Sequence, residues 1–330
     1  MKQLIILFIA GLFLTISGCE KKQKEAAEKT TYAGRKVLIV HSYHPEIKGV
    51  IEKNNGLERV VQNTDVEYKT IYMDTKRNTG EDFKKKSALK AKDTIEDYKP
   101  DVVITVDDNA FKYLIMPYFK DAGLPVVFAG IDWDASLYGA PYSNTTGMVS
   151  VALVLQMIDY TKKYAAGDRI AWLGYDTFTA RKETKAYKDI LGIDMSTHYV
   201  SDFKEWQNTF LKLQTEADLI IHSGMLSGMK DWNDSEAATF ALNNIKVPIG
   251  TVNKSVMCCS VFGLTKVQSE YGQWAAETSL EIIGGKSPSD IPETRNKEGK
   301  IILNLDLAEK LDIAFDVKIL KNAQIYKEDK

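Results

Sequence analysis

Val102-Val103-Ile104-Thr105-Val106-Asp107-Asp108-Asn109 runs from five β-branched residues straight into three polar ones. A short run without polar alternation suits a strand covered on both faces, and the abrupt polar end suits a loop at its carboxyl terminus. The same signature recurs outward in both directions. Continuous apolar runs lie at Val37 to Val40, Val126 to Ala129, Ile170 to Leu173, Leu219 to Ile221 and Val247 to Ile249. Between them, residues 47–62, 83–98, 111–121, 203–214 and 235–243 carry helical spacing. Buried strands alternating with helices predict an α/β protein with parallel sheets. One sheet takes the runs up to Ala129, and a second begins after the Gly- and Asn-containing stretch 139–147. The expectation is two Rossmann-like parallel-sheet lobes in succession.

Ligands of open parallel sheets bind beyond the carboxyl ends of the strands, where loops lead into helix N-termini. In the first lobe that rule selects Ser42-Tyr43-His44, Asp74-Thr75-Lys76-Arg77, Asp107-Asp108-Asn109 and Asp132-Trp133. In the second it selects Tyr175-Asp176-Thr177, Ser223-Gly224-Met225 and Asn253-Lys254. From these loops we expect Ser42, Tyr43, Asp74, Lys76, Asp107, Asp108, Asn109, Trp133, Asp176 and Asn253 to line a ligand cleft. Each also has a local reading: Asp108, Asp132 and Thr177 could cap the helices that follow, and an aromatic at a strand end could simply pack.

The N-terminus points to a compartment. Residues 4–16 are apolar, Ser17 and Gly18 are small, and Cys19 follows directly before a polar stretch. This is the layout of an export signal, too short to span a bilayer comfortably. It resembles a bacterial lipobox, which predicts a signal peptide at 1–18 and a lipid anchor on Cys19. Residues 19–34, with their lysines and glutamates, read as a flexible tether. About 300 residues remain, enough for two domains. With 44% hydrophobic residues, 27% charged residues and a net charge of −2, the chain has no basic excess or stripe for nucleic acid. The expected localisation is extracytoplasmic.

Motifs for covalent chemistry are incomplete. Gly284-Gly285-Lys286-Ser287 ends like a phosphate-binding loop, but position 280 is Leu280 and no apolar strand precedes it. It reads instead as a helix C-terminus and turn, with Pro288 close behind. His41 and His44 have the spacing of a metal pair without further ligands nearby. His222-Ser223-Gly224 lacks the first glycine of a nucleophile elbow. Cys258 and Cys259 are adjacent, which disfavours an ordinary disulfide; buried thiols or a strained redox pair are the two readings. No metal, cofactor or enzymatic activity is expected.

At these same loops the sequence resembles the substrate-binding lipoproteins of ABC transporters with a two-lobed, periplasmic-binding-protein type 1 fold. The resemblance is carried by Ser42-Tyr43-His44-Pro45, by residues 72–77, 107–114 and 125–130, by Asn144-Thr145-Thr146-Gly147-Met148, by Gly272-Gln273-Trp274-Ala275-Ala276, by residues 284–292, and by Asn304 within 301–311. It implies two lobes joined by a hinge, closing on one small polar molecule and presenting it to a membrane permease. It further implies a chain that crosses between lobes more than once, with lobe one at 35–145 plus 256–288 and lobe two at 146–255 plus 289–330. A monomer is expected. Better-known members carry a neutral Thr-Pro-Ala-Ala type sequence where this chain has Asp107-Asp108-Asn109-Ala110. Two carboxylates there suit an ammonium or hydroxyl-rich group better than an amino-acid carboxylate. The alternative is a sensory subunit presenting its ligand to a membrane receptor or kinase.

Overall fold

The computed structural model describes residues 31–327, so the signal segment, Cys19 and most of the expected tether lie outside the described residues. Among the described residues, thirteen strands form two sheets. In chain order they are β1 (Lys36–His41), β2 (Glu67–Tyr72), β3 (Val102–Val106), β4 (Val126–Asp132), β5 (Thr145–Ser150), β6 (Ile170–Tyr175), β7 (Ser196–Val200), β8 (Leu219–His222), β9 (Ile249–Thr251), β10 (Phe262–Lys266), β11 (Thr294–Arg295), β12 (Gly299–Leu303) and β13 (Gln324–Ile325).

The first sheet has the order β11-β5-β4-β3-β1-β2, all parallel. The second has the order β13-β12-β10-β9-β8-β6-β7, parallel from β7 to β10, with β12 antiparallel to β10. Five strands of each sheet therefore repeat one arrangement: second, first, third, fourth, fifth. Each lobe is doubly wound and reverses direction between its first and third strands, where ligands of such sheets bind. The expected α/β class with two parallel-sheet lobes is observed.

Burial explains which residues became strands. The central β3 is buried throughout, whereas the edge strands β2 and β7 expose much of their length. Helices fill both faces. Lys48–Val61 and Gln268–Ile283 lie against the first sheet and cross so closely that a Cβ added at Gly272 would come 1.8 Å from the Lys53 carbonyl oxygen, and one at Gly56 2.0 Å from that of Ser269. In the second lobe, the carboxylate or amide of Asp202, Asn233 and Asn304 and the hydroxyl of Thr177 accept a backbone N–H at helix starts. Its core is aromatic, with Trp206 in ring contact with Phe203, Phe210, Trp232 and Phe240.

The chain crosses between sheets three times. Residues 146–150 complete β5 of the first sheet, β10 belongs to the second, and Thr294–Arg295 pairs with β5. The crossings fall at 151–153, at Val267 and at 296–298. The reason is the repeated topology: each lobe needs its fifth strand before the chain can leave. Phe262 pairs with Gly250 on β9, and β10 is held on its other side by β12.

The remaining local expectations resolve simply. The helix Gln268–Ile283 ends at Gly284, and Gly285 adopts φ +106°, the left-handed geometry glycine tolerates. Cys258 and Cys259 are free and buried. No described helix is long and apolar enough to cross a membrane.

Candidate functional site

Ser42 ties three loops together at the carboxyl edge of the first sheet. Its hydroxyl donates to the Val106 carbonyl at 2.7 Å and accepts the Ala110 N–H at 2.8 Å, while its own carbonyl accepts the Thr75 hydroxyl at 2.6 Å. With no exposed surface, Ser42 shapes the site rather than offering itself to it. Asn109 joins the same scaffold by donating to the Thr75 hydroxyl at 2.9 Å.

Asp107 is the strained member. It follows β3 directly, sits at φ +63° and is buried, with its Oδ1 paired to the Lys53 ammonium from the helix Lys48–Val61. A non-glycine residue held at positive φ costs about 1–3 kcal/mol and persists only where its surroundings compel it. Gly130, at φ +89°, makes room: a Cβ there would come 3.2 Å from Asp107 Oδ1 and 3.4 Å from Lys53 Nζ. The second carboxylate oxygen of Asp107 is buried without a hydrogen-bond partner.

Asp108 does not cap its helix. Its carboxylate accepts the Tyr138 hydroxyl at 2.8 Å and the Asp132 N–H at 3.3 Å. Burial holds its carboxyl above the usual range, and the Asp132 charge adds to that. Tyr43, half-buried beside them, has its phenol pushed up by burial and then by Asp107, Asp108 and Asp132. Asp132 does not cap either; Asp134 does, accepting the Ser136 N–H. Tyr43, Asp107, Asp108 and Asp132 thus form one group.

Asp74 and Lys76 belong to a neighbouring turn. Asp74 accepts from Arg77 Nε at 2.8 Å and from Asn78 at 3.1 Å, and the Arg77 bond holds its carboxyl low. Lys76 places its ammonium 5.2 Å over the Tyr43 ring, which links this turn to the carboxylate group.

Trp133 joins the two lobes. At φ +67°, with its N–H donating to the Ser150 carbonyl at 2.9 Å, it leaves β4 and sets its ring 5.8 Å from that of Tyr187 on the helix Phe178–Asp189 of the second lobe.

At the second sheet's carboxyl edge, Asp176 is held by a two-pronged pair with Arg181 at 2.8 and 2.7 Å. Asn253 lies across Gly224, where an added Cβ would come 2.4 Å from the Asn253 Cγ. Three buried charged residues escaped the sequence reading. Glu183 is largely buried without a cation, accepting the Ser223 hydroxyl at 3.1 Å and the Tyr187 hydroxyl at 3.2 Å, and burial raises its carboxyl. Lys266, at the end of β10, reaches across the lobes to donate to the Ser150 hydroxyl at 2.7 Å, and burial lowers its ammonium. Lys53 is the third. Lysine and glutamate inside charged helical or edge segments look solvated; the one available signal was Lys266 at a strand's carboxyl end, by the rule that found the other loops.

The crossings are pinned to one another. Asn296 accepts the Val151 N–H at 2.7 Å, and Glu270 accepts the N–H groups of Lys297 and Glu298 at 2.8 and 2.9 Å. With Lys266 and Ser150, every crossing carries a side-chain tie to another, a compact mechanical joint behind the facing sheet edges.

Two doubly wound lobes joined by three crossings, with polar loops at both carboxyl edges, are an architecture known from solute receptors, and comparison with known proteins agrees. Residues 42–327 match the family model described as ABC transporter substrate binding protein. Among solved structures, the chain is similar to the ligand-free, open form of a substrate-binding protein with adhesive properties from Clostridium difficile, at 15% identity and TM-score 0.64, covering 89% of this chain and 99% of that one. It is similar to a Bradyrhizobium ABC transporter solute-binding protein at 12% identity and TM-score 0.53, covering 84% and 85%. A periplasmic ribose ABC transporter protein from Conexibacter woesei follows at 13% identity and TM-score 0.52, covering 86% and 97%. No curated protein sequence matches the chain. The family match spans both lobes, all three crossings and every loop of the site, and on that footing the chain belongs to the ABC transporter substrate-binding proteins.

Proposed function

We propose that this protein is an extracytoplasmic lipoprotein, anchored through Cys19, that captures a small polar solute between its lobes and delivers it to an ABC permease. Substrate-binding proteins of this family bind small molecules and engage such permeases. The observation that carries the solute class is the Asp107 carboxylate, forced into a strained backbone with one buried oxygen left unpartnered, beside Asp108 and Asp132. Lys53 neutralises one of these charges. The remaining acceptors favour an ammonium or a hydroxyl-rich group, since carboxylates bind such donors through strong, short hydrogen bonds.

Recognition on this reading begins at Tyr43, Asp107 and Asp108, and Asn253 and Ser223 close over the solute from the other lobe. Closure is favoured by contacts made only when both lobes touch the ligand, and Trp133 against Tyr187 supplies a face on which the lobes meet. A thermal-shift screen over amines, amino acids, nucleosides and sugars tests the reading, because ligand binding raises the melting temperature by mass action. We expect hits among amines or polyols, weakened by Asp108→Asn. Silence across the panel, or hits confined to anions, contradicts it. Mass spectrometry of the membrane-extracted protein checks the anchor: a lipidated N-terminal Cys19 is expected.

A further inference from the structure

A groove of about 820 Å³ runs beside the joint, and Asp107 and Asp108 are not part of its lining. One wall is the helix Lys48–Val61, the other is the edge formed by β10, β12 and β13, and the crossing at Val267 forms part of its lining. Its volume is that of a site for a small organic molecule.

Its charge is opposite to that of the main site. Lys48, Arg59, Lys254, Lys266 and Lys300 line it against only two carboxylates, Glu52 and Glu58. Glu52 is 3.8 Å from Lys48 and offsets it. Among the described residues, Arg59, Lys254 and Lys300 make no ion pair, so no contacting carboxylate offsets their charge. Three unpaired cations on facing walls of one concavity concentrate anions, and a guanidinium among them suits a planar, two-pronged partner.

We propose that this groove is a second ligand site, for a soluble anion bearing phosphate with two or more negative charges. A free molecule is favoured over a membrane surface because the cations stand on opposing walls of one groove, Lys48 and Arg59 on the helix and Lys254 and Lys300 across from it, where one small anion meets both sets. An occupant touches Lys48 and Arg59 of one lobe, Lys254 and Lys300 of the other, and the crossing between them, so its binding is coupled to the arrangement of the lobes. By linkage, any solute that shifts that arrangement alters anion affinity, and the reverse holds by the same factor.

The test is calorimetric titration of full-length protein with pyrophosphate, and separately with inorganic phosphate, at low and moderate salt. Expected are one site, weakening with salt, and roughly tenfold or greater loss in the Lys254→Glu/Lys300→Glu variant, a size set by two reversed charges near the anion. A control with the same change in net charge, Lys204→Glu/Lys318→Glu, retains wild-type affinity; both positions are exposed and outside the groove. Absence of binding overturns the proposal, as does equal weakening in the control pair, which would mean attraction by net charge alone. Sedimentation with phosphatidylglycerol vesicles is the remaining arm. Vesicle binding lost in the Lys254→Glu/Lys300→Glu variant, with no pyrophosphate binding, overturns the soluble-anion assignment. The Lys300→Gln single variant should show a smaller loss than the double.

Discussion

At the carboxyl edge of the first sheet the protein buries charge: Asp107 against Lys53, Asp108 under Tyr138, and a phenol at Tyr43 pushed up by its acidic neighbours. At the same edge of the second sheet it buries His222, Ser223, Thr251 and the unaccompanied Glu183, with one cation, Lys266, at the end of β10 reaching to the first lobe. The strand orders match, so topology cannot be the cause. The difference lies in what stands behind each sheet. In the first lobe two helices approach through Gly56 and Gly272, which lets the Lys53 side chain reach under the sheet edge. In the second, Trp206 and its aromatic neighbours fill the equivalent depth. One framework thereby carries a carboxylate cluster buried with a cation at one sheet edge and mostly uncharged buried groups at the other.

The strongest way to break this contrast is Lys53→Met, which leaves Asp107 buried without its cation. Loss of one partner of a buried pair costs about 3–5 kcal/mol, so urea denaturation should show a large drop in stability, mostly recovered in Lys53→Met/Asp107→Leu. A comparable truncation at Asp176→Asn, on the exposed Asp176–Arg181 pair, should change stability little.

Acid should strike both lobes through buried histidines. Burial drives His41 down to about 4 and His222 down to about 3. Each is neutral in the fold and takes a proton more readily when unfolded, so the unfolded state binds more protons below the ordinary value of 6.5. Stability is therefore full above that pH and falls as pH drops toward those two values, by about 1.4 kcal/mol per pH unit for each histidine. Thermal melts between pH 7.5 and 5 should show it, and His222→Phe, among the aromatic rings of Trp206 and Phe210, should flatten the slope. Glu183 carries the opposite sign. Its raised carboxyl keeps a proton longer in the fold, so stability declines as pH rises through its folded value, and Glu183→Gln should remove that decline.

Gly272→Ala probes the helix approach that brings Lys53 inward. The new methyl meets the Lys53 carbonyl and forces the helices apart, at a cost of about 1–3 kcal/mol. Differential scanning calorimetry should show the loss. The smallest effect is expected from Thr177→Ala, which removes one helix cap of the second lobe for about 1 kcal/mol.

Much of the framework was legible because Val102–Val106 and Val126 to Ala129 are buried on both faces and so carry no polar alternation. The edge strand Ser196–Val200 had no such signal, since its outer residues meet water. The crossings after β5 and β10 leave little trace in the sequence, because those strands contain Gly, Thr and Ser and resemble loops until their partners are known. Loops after strands were legible by position alone, and Tyr43, Asp107, Asp108 and Trp133 lie in such loops. Lys53, Glu183 and Lys266 were not legible, because a charge on an amphipathic helix or edge reads as solvated, and only tertiary approach buries it.

The most direct test of a carboxylate cluster and a mostly uncharged sheet edge meeting over one polar solute is a crystal structure of the protein with the strongest hit of the thermal-shift screen. The account predicts the solute between the two sheet edges, an ammonium or hydroxyl within hydrogen-bond distance of Asp107 or Asp108, and Asn253 or Ser223 covering it from the second lobe. A solute seated elsewhere, or one whose anionic group faces Asp108, would contradict it.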